Sequence, residues 1–480
     1  MACTDVRRLF PVSAVATALR QDGGMPEPVS DFRLYHSNSL EVLSGLLAAE
    51  LARPVPGHSL LVPDVVLIPQ VAMRRWLQAT LAAQHGIAAN LEFLTPGEFV
   101  ARALQANVPG DSEDLGADAL HWRLYAALTD PLTLREPAMH ALRAYLAGND
   151  PLKPWSLAGE LAGVFEKYQA WRRDWLLGWE AGQAPRDPQA LLWRKVAGGS
   201  QHRARRIDEY LNGFAAPGSA LPSGLPARLF AFATLNVSPD VLRVIATQAR
   251  VGVLHFYMPT PTRSYWGDLQ TLGERLRSGA EDPFDLAGND GPGENRLLQA
   301  WGAAGRDFMA VLGSYEVVHP SGEIAAYDDP EQGEPGKSLA DSLLTRLHAD
   351  LFHRRAMPAG ALRAELNRND PSLQVHACHT PLREVQVLHD QLRGLLEDPR
   401  FDPPLQAREI AVLAPNIDPY APNINAVFGG RNGHHDFIPY ALADTSPLAG
   451  EPLAEVFVRL LGLPVSRFGL NEILDLLASP

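Results

Sequence analysis

The sequence predicts an α/β fold built around parallel β-sheets. Residues 65–68 form a continuous aliphatic run, which is typical of a strand buried on both faces of a parallel sheet. A shorter strand-like segment at residues 32–35 precedes this run, and each segment is followed by apolar residues at helical spacing. This alternation of strands and helices indicates βαβ units, which place their strands in a parallel sheet.

The first two helices of this fold have recognisable patterns. The tripeptide at residues 37–39 (Ser-Asn-Ser) offers N-cap side chains ahead of a helix predicted at residues 40–51. A second helix is predicted at residues 72–85, where Trp76 and Leu77 belong to one apolar side.

The middle of the chain is predicted to be helical from about residue 96 to residue 213. One helix is expected at residues 157–179, and it is dense in aromatic side chains. An aromatic stripe at this spacing predicts a packed core, and stacking against nucleic-acid bases remains the alternative.

The remainder of the chain returns to α/β patterns. Strands are predicted at residues 228–233 and 251–257, with a helix that begins at Ser238-Pro239. Residues 282–295 and 321–336 are rich in Gly, Pro and acidic residues and are predicted to be loops. A last unit is predicted to contain strands at residues 373–379 and 409–415, helices at residues 381–396 and 453–477, and a truncated end.

The length of 480 residues exceeds what one hydrophobic core usually serves, which is about 250–300 residues. We therefore expect several domains with the following boundaries. They are a disordered extension (1–31), the first part of an α/β domain (32–100), a helical insertion (101–215), the continuation of the α/β domain with loop insertions (216–370), and the start of a second α/β unit (371–480).

Composition narrows the function classes. The formal net charge of −13 taken alone argues against nucleic-acid binding, although a basic channel can lie within an acidic protein. The two cysteines cannot form a disulfide framework, so we expect a reducing, cytoplasmic environment. No apolar run reaches the ~20 residues of a membrane span, and no signal-peptide pattern is present.

Two segments have part of the sequence or position of a phosphate loop. Gly336-Lys337-Ser338 resembles the end of a Walker A motif, but Glu331 occupies the position of the first required glycine. The turn at His36, Ser37 and Asn38 follows the first strand, where a helicase-type ATPase places its phosphate loop, but it contains neither Gly nor Lys. We expect helix capping there and no nucleotide binding.

Metal and catalytic motifs have little support in the sequence. His376, Cys378 and His379 lie close together, but no second ligand pair with zinc-type spacing follows. Residues 434–436 (His-His-Asp) are equally unsupported, and no nucleophile elbow or metalloprotease motif is present. We therefore expect no catalytic residue, no metal and no cofactor bound by this chain.

Basic residues give a more specific hypothesis. Arg74 and Arg75 begin a helix directly after a parallel-type strand, and ligands of open α/β sheets bind at the carboxyl ends of strands. These arginines could hold backbone phosphates, while Trp76 is predicted to be core. Further candidates for phosphate contacts, for which a solvated face is the alternative, are Arg172, Arg173, Arg203, Arg205 and Arg206.

Several segments in this order resemble the RecC family, the gamma subunit of exodeoxyribonuclease V. The resemblance runs from Phe32 to Pro480, and its most specific stretch is residues 376–390 (HACHTPLREVQVLHD). The other matching segments are residues 34–43, 76–81, 86–90, 265–268, 300–307, 418–422 and 426–429.

The resemblance implies a superfamily-1 helicase-like (P-loop NTPase-like) architecture with degenerate ATPase motifs. It implies a heterotrimer with RecB-like and RecD-like subunits, which use ATP and Mg²⁺, and handling of double-stranded DNA ends and single strands. It also implies scanning for a Chi sequence, in which polar residues after the second strand take part. Here that segment contains Gln70, but Pro69 and Val71 cannot donate side-chain hydrogen bonds to bases. A purely structural docking subunit is the alternative function.

Overall fold

The computed structural model describes residues 31–54, 59, 61–110, 115–148, 150–216, 218–234, 237–269, 295–313, 320–332, 342–355, 367, 369–430, 437–445 and 452–477. The chain divides into two compact units, with the boundary between Ser372 and Leu373. Gly336-Lys337-Ser338, residues 434–436 and the predicted extension up to residue 30 lie outside the described residues.

The first unit contains a six-stranded parallel sheet among its described residues, in the order β3-β2-β4-β5-β1-β6. The predicted α/β class with a parallel sheet is confirmed. The strands are β1 (Asp31–Ser37), β2 (Asp64–Leu67), β3 (Leu91–Leu94), β4 (Arg228–Phe232), β5 (Val253–Pro259) and β6 (Gly322–Ala325).

The helices of this unit follow the strands and fill a long segment between β3 and β4. They are α1 (Leu40–Leu51), α2 (Val71–His85), α3 (Pro96–Asn107), α4 (Ala117–Thr129), α5 (Pro131–Arg135), α6 (His140–Leu146), α7 (Leu152–Trp171), α8 (Arg173–Glu180), α9 (Pro188–Ala197), α10 (Arg203–Phe214), α11 (Pro239–Ala246), α12 (Arg296–Trp301), α13 (Ala303–Gly313) and α14 (Leu343–Phe352). Among the described residues, no helix combines the length and apolarity needed to cross a bilayer.

Both faces of the sheet are covered by helices. Because side chains alternate along a strand, β2 places Val66 on one face and Val65 and Leu67 on the other. The first face packs against α1 and α2, and the second packs against α3, α10, α11 and α13. This double coverage explains why β2, β4 and β5 are nearly continuous apolar runs.

Helix starts were well specified by local sequence. The Ser39 side chain accepts a hydrogen bond from the Val42 N–H and caps α1, and Ser238 caps α11 in the same way ahead of Pro239. These side chains satisfy backbone donors that have no partner within the helix. The predicted caps are confirmed.

The helices from α4 to α9 form their own core, with Phe165 and Trp193 fully buried. The single helix predicted at residues 157–179 is wrong, because the chain leaves helical geometry at Arg172 (φ −136°, ψ 41°) and α8 starts in a new direction. Most of the aromatic stripe is core, as predicted, but Trp171 and Trp175 are half exposed.

The predicted loop at residues 321–336 contains the edge strand β6, and the prediction missed it. All four β6 residues are exposed, so the strand has no hydrophobic pattern that would reveal it. It pairs with β1 through backbone hydrogen bonds, and side-chain bonds from Ser321 and Asn38 hold the segments just before and after it.

The second unit, from Leu373 onward, contains α15 (Pro381–Leu396), α16 (Ala421–Phe428), α17 (Pro452–Gly462) and α18 (Leu470–Leu477). Among its described residues, the strands predicted at residues 373–379 and 409–415 are wrong. Val375 and Leu413 are each 93% exposed, and the described residues show no strand pairing for either segment.

Candidate nucleic-acid interface

The turn after β1, where a phosphate loop would lie, is filled by the protein's own hydrogen bonds. Ser37 is fully buried, and its Oγ accepts from the Ser39 N–H at 3.1 Å. The Asn38 side chain donates to the Asp328 carbonyl at 2.6 Å and accepts from the Asp328 N–H at 2.9 Å. Burial lowers the pKa of His36, which disfavours a cationic imidazole. The turn therefore offers no cation and no open backbone cradle for phosphates.

The amino end of α2 presents polar side chains at the carboxyl end of β2. Gln70 is the N-cap residue, but its side chain makes no capping bond and is exposed. Arg74 and Arg75 are also exposed, and the Arg74 guanidinium lies 5.7 Å from the centre of the Phe93 ring. These three side chains are accessible to a ligand at the sheet edge.

Trp76 belongs to the fold. It is half-buried and packs against the core under α1 and α2, with its ring 6.2 Å from that of Phe232. The prediction that Trp76 is core is confirmed.

Arg172 and Arg173 have different environments at the junction of α7 and α8. Arg172 is exposed, and its guanidinium lies 5.2 Å from the centre of the Trp175 ring. Arg173 is largely covered and forms ion pairs with Asp240 at 3.0 Å and Asp208 at 3.6 Å. Arg172 can meet a phosphate, whereas Arg173 connects the helical layer to α11.

Arg206 is enclosed by backbone carbonyls. Its side chain donates to the carbonyl oxygens of Leu104, Val108, Pro109 and Gly110 at 2.7–3.4 Å, and the residue is 3% exposed. It therefore fixes the chain after α3 and has little surface left for a phosphate.

Arg205 is committed to an acidic partner. Its guanidinium forms an ion pair with Glu180, the last residue of α8, and its side chain is 29% exposed. A carboxylate already neutralises this arginine.

A cavity of about 480 Å³ lies between α3, α7 and α10. Its polar lining includes Arg203 and Arg206 from α10 and Glu166 and Gln169 from α7, and its apolar lining comes largely from α3. Gln169 is buried and donates to the Leu115 carbonyl at 2.8 Å. A concave site with a few convergent polar groups is the usual form of a ligand-binding site.

Arg203 is the exposed cation of this cavity, whereas Arg206 is held by backbone carbonyls. Within the described part of the chain, no residue forms a hydrogen bond or ion pair with the Arg203 side chain. Desolvation lowers the pKa of Arg203 from its ordinary value, although the residue as a whole is exposed. An anionic ligand would supply this guanidinium with a counter-charge.

Comparison with known proteins decides the family. A family model described as the N-terminal domain of RecC matches residues 32–354. A relative described as RecBCD enzyme subunit RecC from Escherichia coli (strain K12) is 31% identical over 497 residues, which cover 93% of this chain and 42% of the relative. The chain belongs to the RecC family.

Other RecC relatives give the same result. The RecBCD enzyme subunit RecC of Haemophilus influenzae is 28% identical over 511 residues, covering 94% of this chain and 44% of the relative. That of Mycolicibacterium smegmatis is 27% identical over 475 residues, covering 93% and 40%. The chain spans about two fifths of the length of the curated RecC relatives it matches.

All the candidate arginines, the cavity and the filled turn lie within the residues that match the RecC N-terminal domain. Sequence reasoning named Arg203 among several basic residues but did not find Glu166 and Gln169, because one is an ordinary solvated glutamate and the other an ordinary helical glutamine by pattern. Both lie on α7, three residues apart, and α3 and α10 complete the cavity around them only in the folded chain.

One group of potential metal ligands occurs among the described residues of this RecC-family chain, at Asp329, Glu331 and His353. The His353 Nε2 lies 3.1 Å from Asp329 and 3.3 Å from Glu331. Arg355 donates to both carboxylate oxygens of Glu331, which balances the negative charge without an ion. His376, Cys378 and His379, for which the sequence predicts no metal, are not part of this group.

Proposed function

We propose that this chain is a non-catalytic DNA-binding scaffold subunit of a RecBCD-type exodeoxyribonuclease V that acts in double-strand break repair by homologous recombination. Membership of the RecC family supports this proposal, because the curated relatives are described as subunits of the RecBCD enzyme. The proposed partners are RecB-like and RecD-like subunits, together with DNA ends and single strands.

The observation that carries the DNA-binding part is the cavity lined by Arg203, whose side chain has no partner among the described residues. We propose that it holds the phosphate backbone and a base of single-stranded DNA. Its walls combine apolar surface from α3 with an amide and a guanidinium, which suits a nucleotide that presents a flat base and an anion. The exposed Gln70, Arg74, Arg75 and Arg172 would extend the contact beyond the cavity.

The proposed architecture is a superfamily-1 helicase-like body that has lost its ATPase motifs. The filled turn after β1 supports this, since Asn38 and Ser37 occupy the hydrogen-bonding positions that phosphates would need. ATP and Mg²⁺ would be used by the partner subunits. Scanning for Chi is part of the proposal. Because Pro69 and Val71 offer no side-chain hydrogen bond to bases, either the recognised sequence differs or the complex is not regulated at Chi in the same way.

Single-strand binding tests the proposal through Arg203. The measurement is fluorescence anisotropy of a labelled oligothymidylate with the 480-residue chain, over a series of salt concentrations. We expect Arg203→Ala to weaken binding on the order of tenfold and to reduce the slope of log affinity against log salt by about 0.7, the value for one phosphate contact on a single strand.

The matched control is Arg186→Ala, which removes the same charge from an exposed position that does not line the cavity. Affinity and slope should then stay near those of the wild type. Equal losses in the two variants would reduce the effect to net charge and contradict the cavity site.

A docking subunit without direct DNA contact is the second candidate. The net charge of −13 and the exposed apolar side chains on α17 and α18, among them Leu453 (76%) and Leu477 (76%), favour contact with other proteins. A salt slope near zero in the titration would favour this candidate, because a phosphate contact releases counterions and a docking surface alone does not.

A further inference from the structure

Glu180, at the end of α8, is a carboxylate surrounded by donors from the neighbouring elements. Its Oε1 accepts from the Trp193 indole N–H at 2.9 Å and from the His202 Nε2 at 2.6 Å. The Arg205 guanidinium donates to the other oxygen. One side chain thus joins α8 to α9 and to the first turn of α10.

The proton positions in this group follow from its geometry. His202 is fully buried and caps α10, and its Nδ1 accepts from the Arg205 backbone N–H at 3.4 Å. Because Nδ1 accepts, the proton of the imidazole lies on Nε2 and is donated to Glu180. Burial alone would raise the pKa of Glu180, but the hydrogen bonds from His202 and Arg205 outweigh it and lower the pKa to about 2.

This group flanks Arg203 on both sides in the sequence. His202 and Arg205 are each fixed by Glu180, and Arg203 lies between them on the first turn of α10, where it lines the cavity. No described residue holds the Arg203 side chain itself. Its direction therefore depends on the backbone of that turn.

We propose that Glu180 is a positioning residue for single-stranded DNA: through His202 and Arg205 it fixes the first turn of α10 so that Arg203 presents its guanidinium to the cavity. The inference rests on the proposed function, because it needs the cavity to bind a phosphate backbone. It assigns Glu180 no contact with DNA. A long acidic side chain is repelled by phosphate, so this carboxylate acts on DNA only through the arginine that it positions.

The test is a double-mutant cycle between Glu180→Gln and Arg203→Ala, read as the Kd for labelled oligothymidylate at one fixed salt concentration. The glutamine keeps the size and one acceptor oxygen but loses the charge that holds Arg205. We expect Glu180→Gln alone to weaken binding about threefold, and to have no further effect in the Arg203→Ala background. Loss of a negative charge would by itself strengthen binding, so the expected direction separates positioning from simple electrostatics.

Two controls keep the cycle interpretable. Glu160→Gln removes an exposed carboxylate on α7 and should leave the Kd unchanged or slightly lower. Folding of Glu180→Gln is checked by circular dichroism and Tm. If this variant does not fold, Arg205→Gln takes its place, because that substitution removes the same ion pair at a side chain that is 29% exposed. The same coupling with Arg203 is expected.

The outcomes separate the two proposals. If Arg203→Ala binds DNA like the wild type, the proposed cavity site is wrong. If Arg203→Ala weakens binding but Glu180→Gln has no effect, or has the same effect in both backgrounds, the cavity site stands and the positioning role of Glu180 is wrong.

Discussion

Adjacent arginines in this chain have opposite environments. Arg172 is exposed above an indole ring, whereas Arg173 is enclosed by the carboxylates of Asp208 and Asp240. On α10, Arg203 lines the cavity with no partner in the described part of the chain, and Arg206 is buried among carbonyls. The sequence alone marks all of them as basic, because the difference arises from which helix each side chain meets.

Arg206 should be a large contributor to stability. We expect Arg206→Met to lower the free energy of unfolding by about 2–4 kcal/mol, because the methionine keeps the apolar stem but leaves four backbone carbonyls without their donor. The measurement is urea denaturation followed by circular dichroism.

Arg186→Met is the matched control for this substitution, since Arg186 is exposed and an exposed change is expected to stay within about 0.5 kcal/mol. A similar small effect for Arg206→Met would show that water replaces the guanidinium at these carbonyls, and that Arg206 is free to serve another role.

At the scale of elements, the central strands of the parallel sheet were predictable from the sequence, but the edge strand β6 and the break between α7 and α8 were not. The buried runs of β2, β4 and β5 have the apolar continuity that double coverage requires, and Ser39 and Ser238 marked helix starts directly. The exposed β6 has no such pattern, and the break between α7 and α8 comes at Arg172, a residue without helix-breaking character.

The central strand β5 carries a buried histidine, from which an effect on acid stability is expected. His255, on β5, lies between the rings of Tyr35 and Phe230, and Tyr35 Oη is 3.1 Å from its Nδ1. Burial, followed by the charges of Arg33 and Arg228, lowers the pKa of His255 to about 3. The folded chain therefore keeps this imidazole neutral where the unfolded chain would protonate it.

The sign of the resulting pH dependence is fixed by that shift. Between the unfolded pKa of 6.5 and the folded pKa of about 3, the unfolded state binds one more proton, so stability falls as the pH falls. We expect His255→Gln to remove up to about 1.4 kcal/mol per pH unit from this slope, measured by urea denaturation at several pH values.

His140→Gln, which changes an exposed histidine, should follow the wild-type slope. If His255→Gln also keeps the wild-type slope, acid destabilisation comes from other groups and the imidazole is protonated in the folded chain.

At the scale of the whole molecule, the parallel sheet is combined with a turn after β1 that is filled by its own hydrogen bonds and with a cavity between α3, α7 and α10. The sequence predicts from the missing Gly and Lys that this turn holds no nucleotide, since a phosphate loop is local in sequence. The cavity could not be predicted in the same way, because its lining comes from α3, α7 and α10 and the meeting of those helices is a tertiary property.

We expect the purified chain to hydrolyse no ATP, with or without single-stranded DNA, because the turn after β1 has no cation to polarise a phosphate. The measurement is phosphate release, with Asn38→Ala as a matched variant that opens the turn without adding a catalytic group. DNA-stimulated hydrolysis by the wild type that Asn38→Ala abolishes would contradict the expectation and assign an active site to that turn.

The two hydrogen bonds between Asn38 and Asp328 give the turn after β1 a second structural role. The amide of Asn38 mimics a peptide group and binds the segment that follows β6, so the same atoms close the turn and anchor the outermost strand. Grafting a glycine-rich, lysine-bearing loop onto residues 36–38 would remove this anchor. A phosphate-binding loop at this turn would therefore also need new hydrogen bonds to hold β6 at the edge of the sheet.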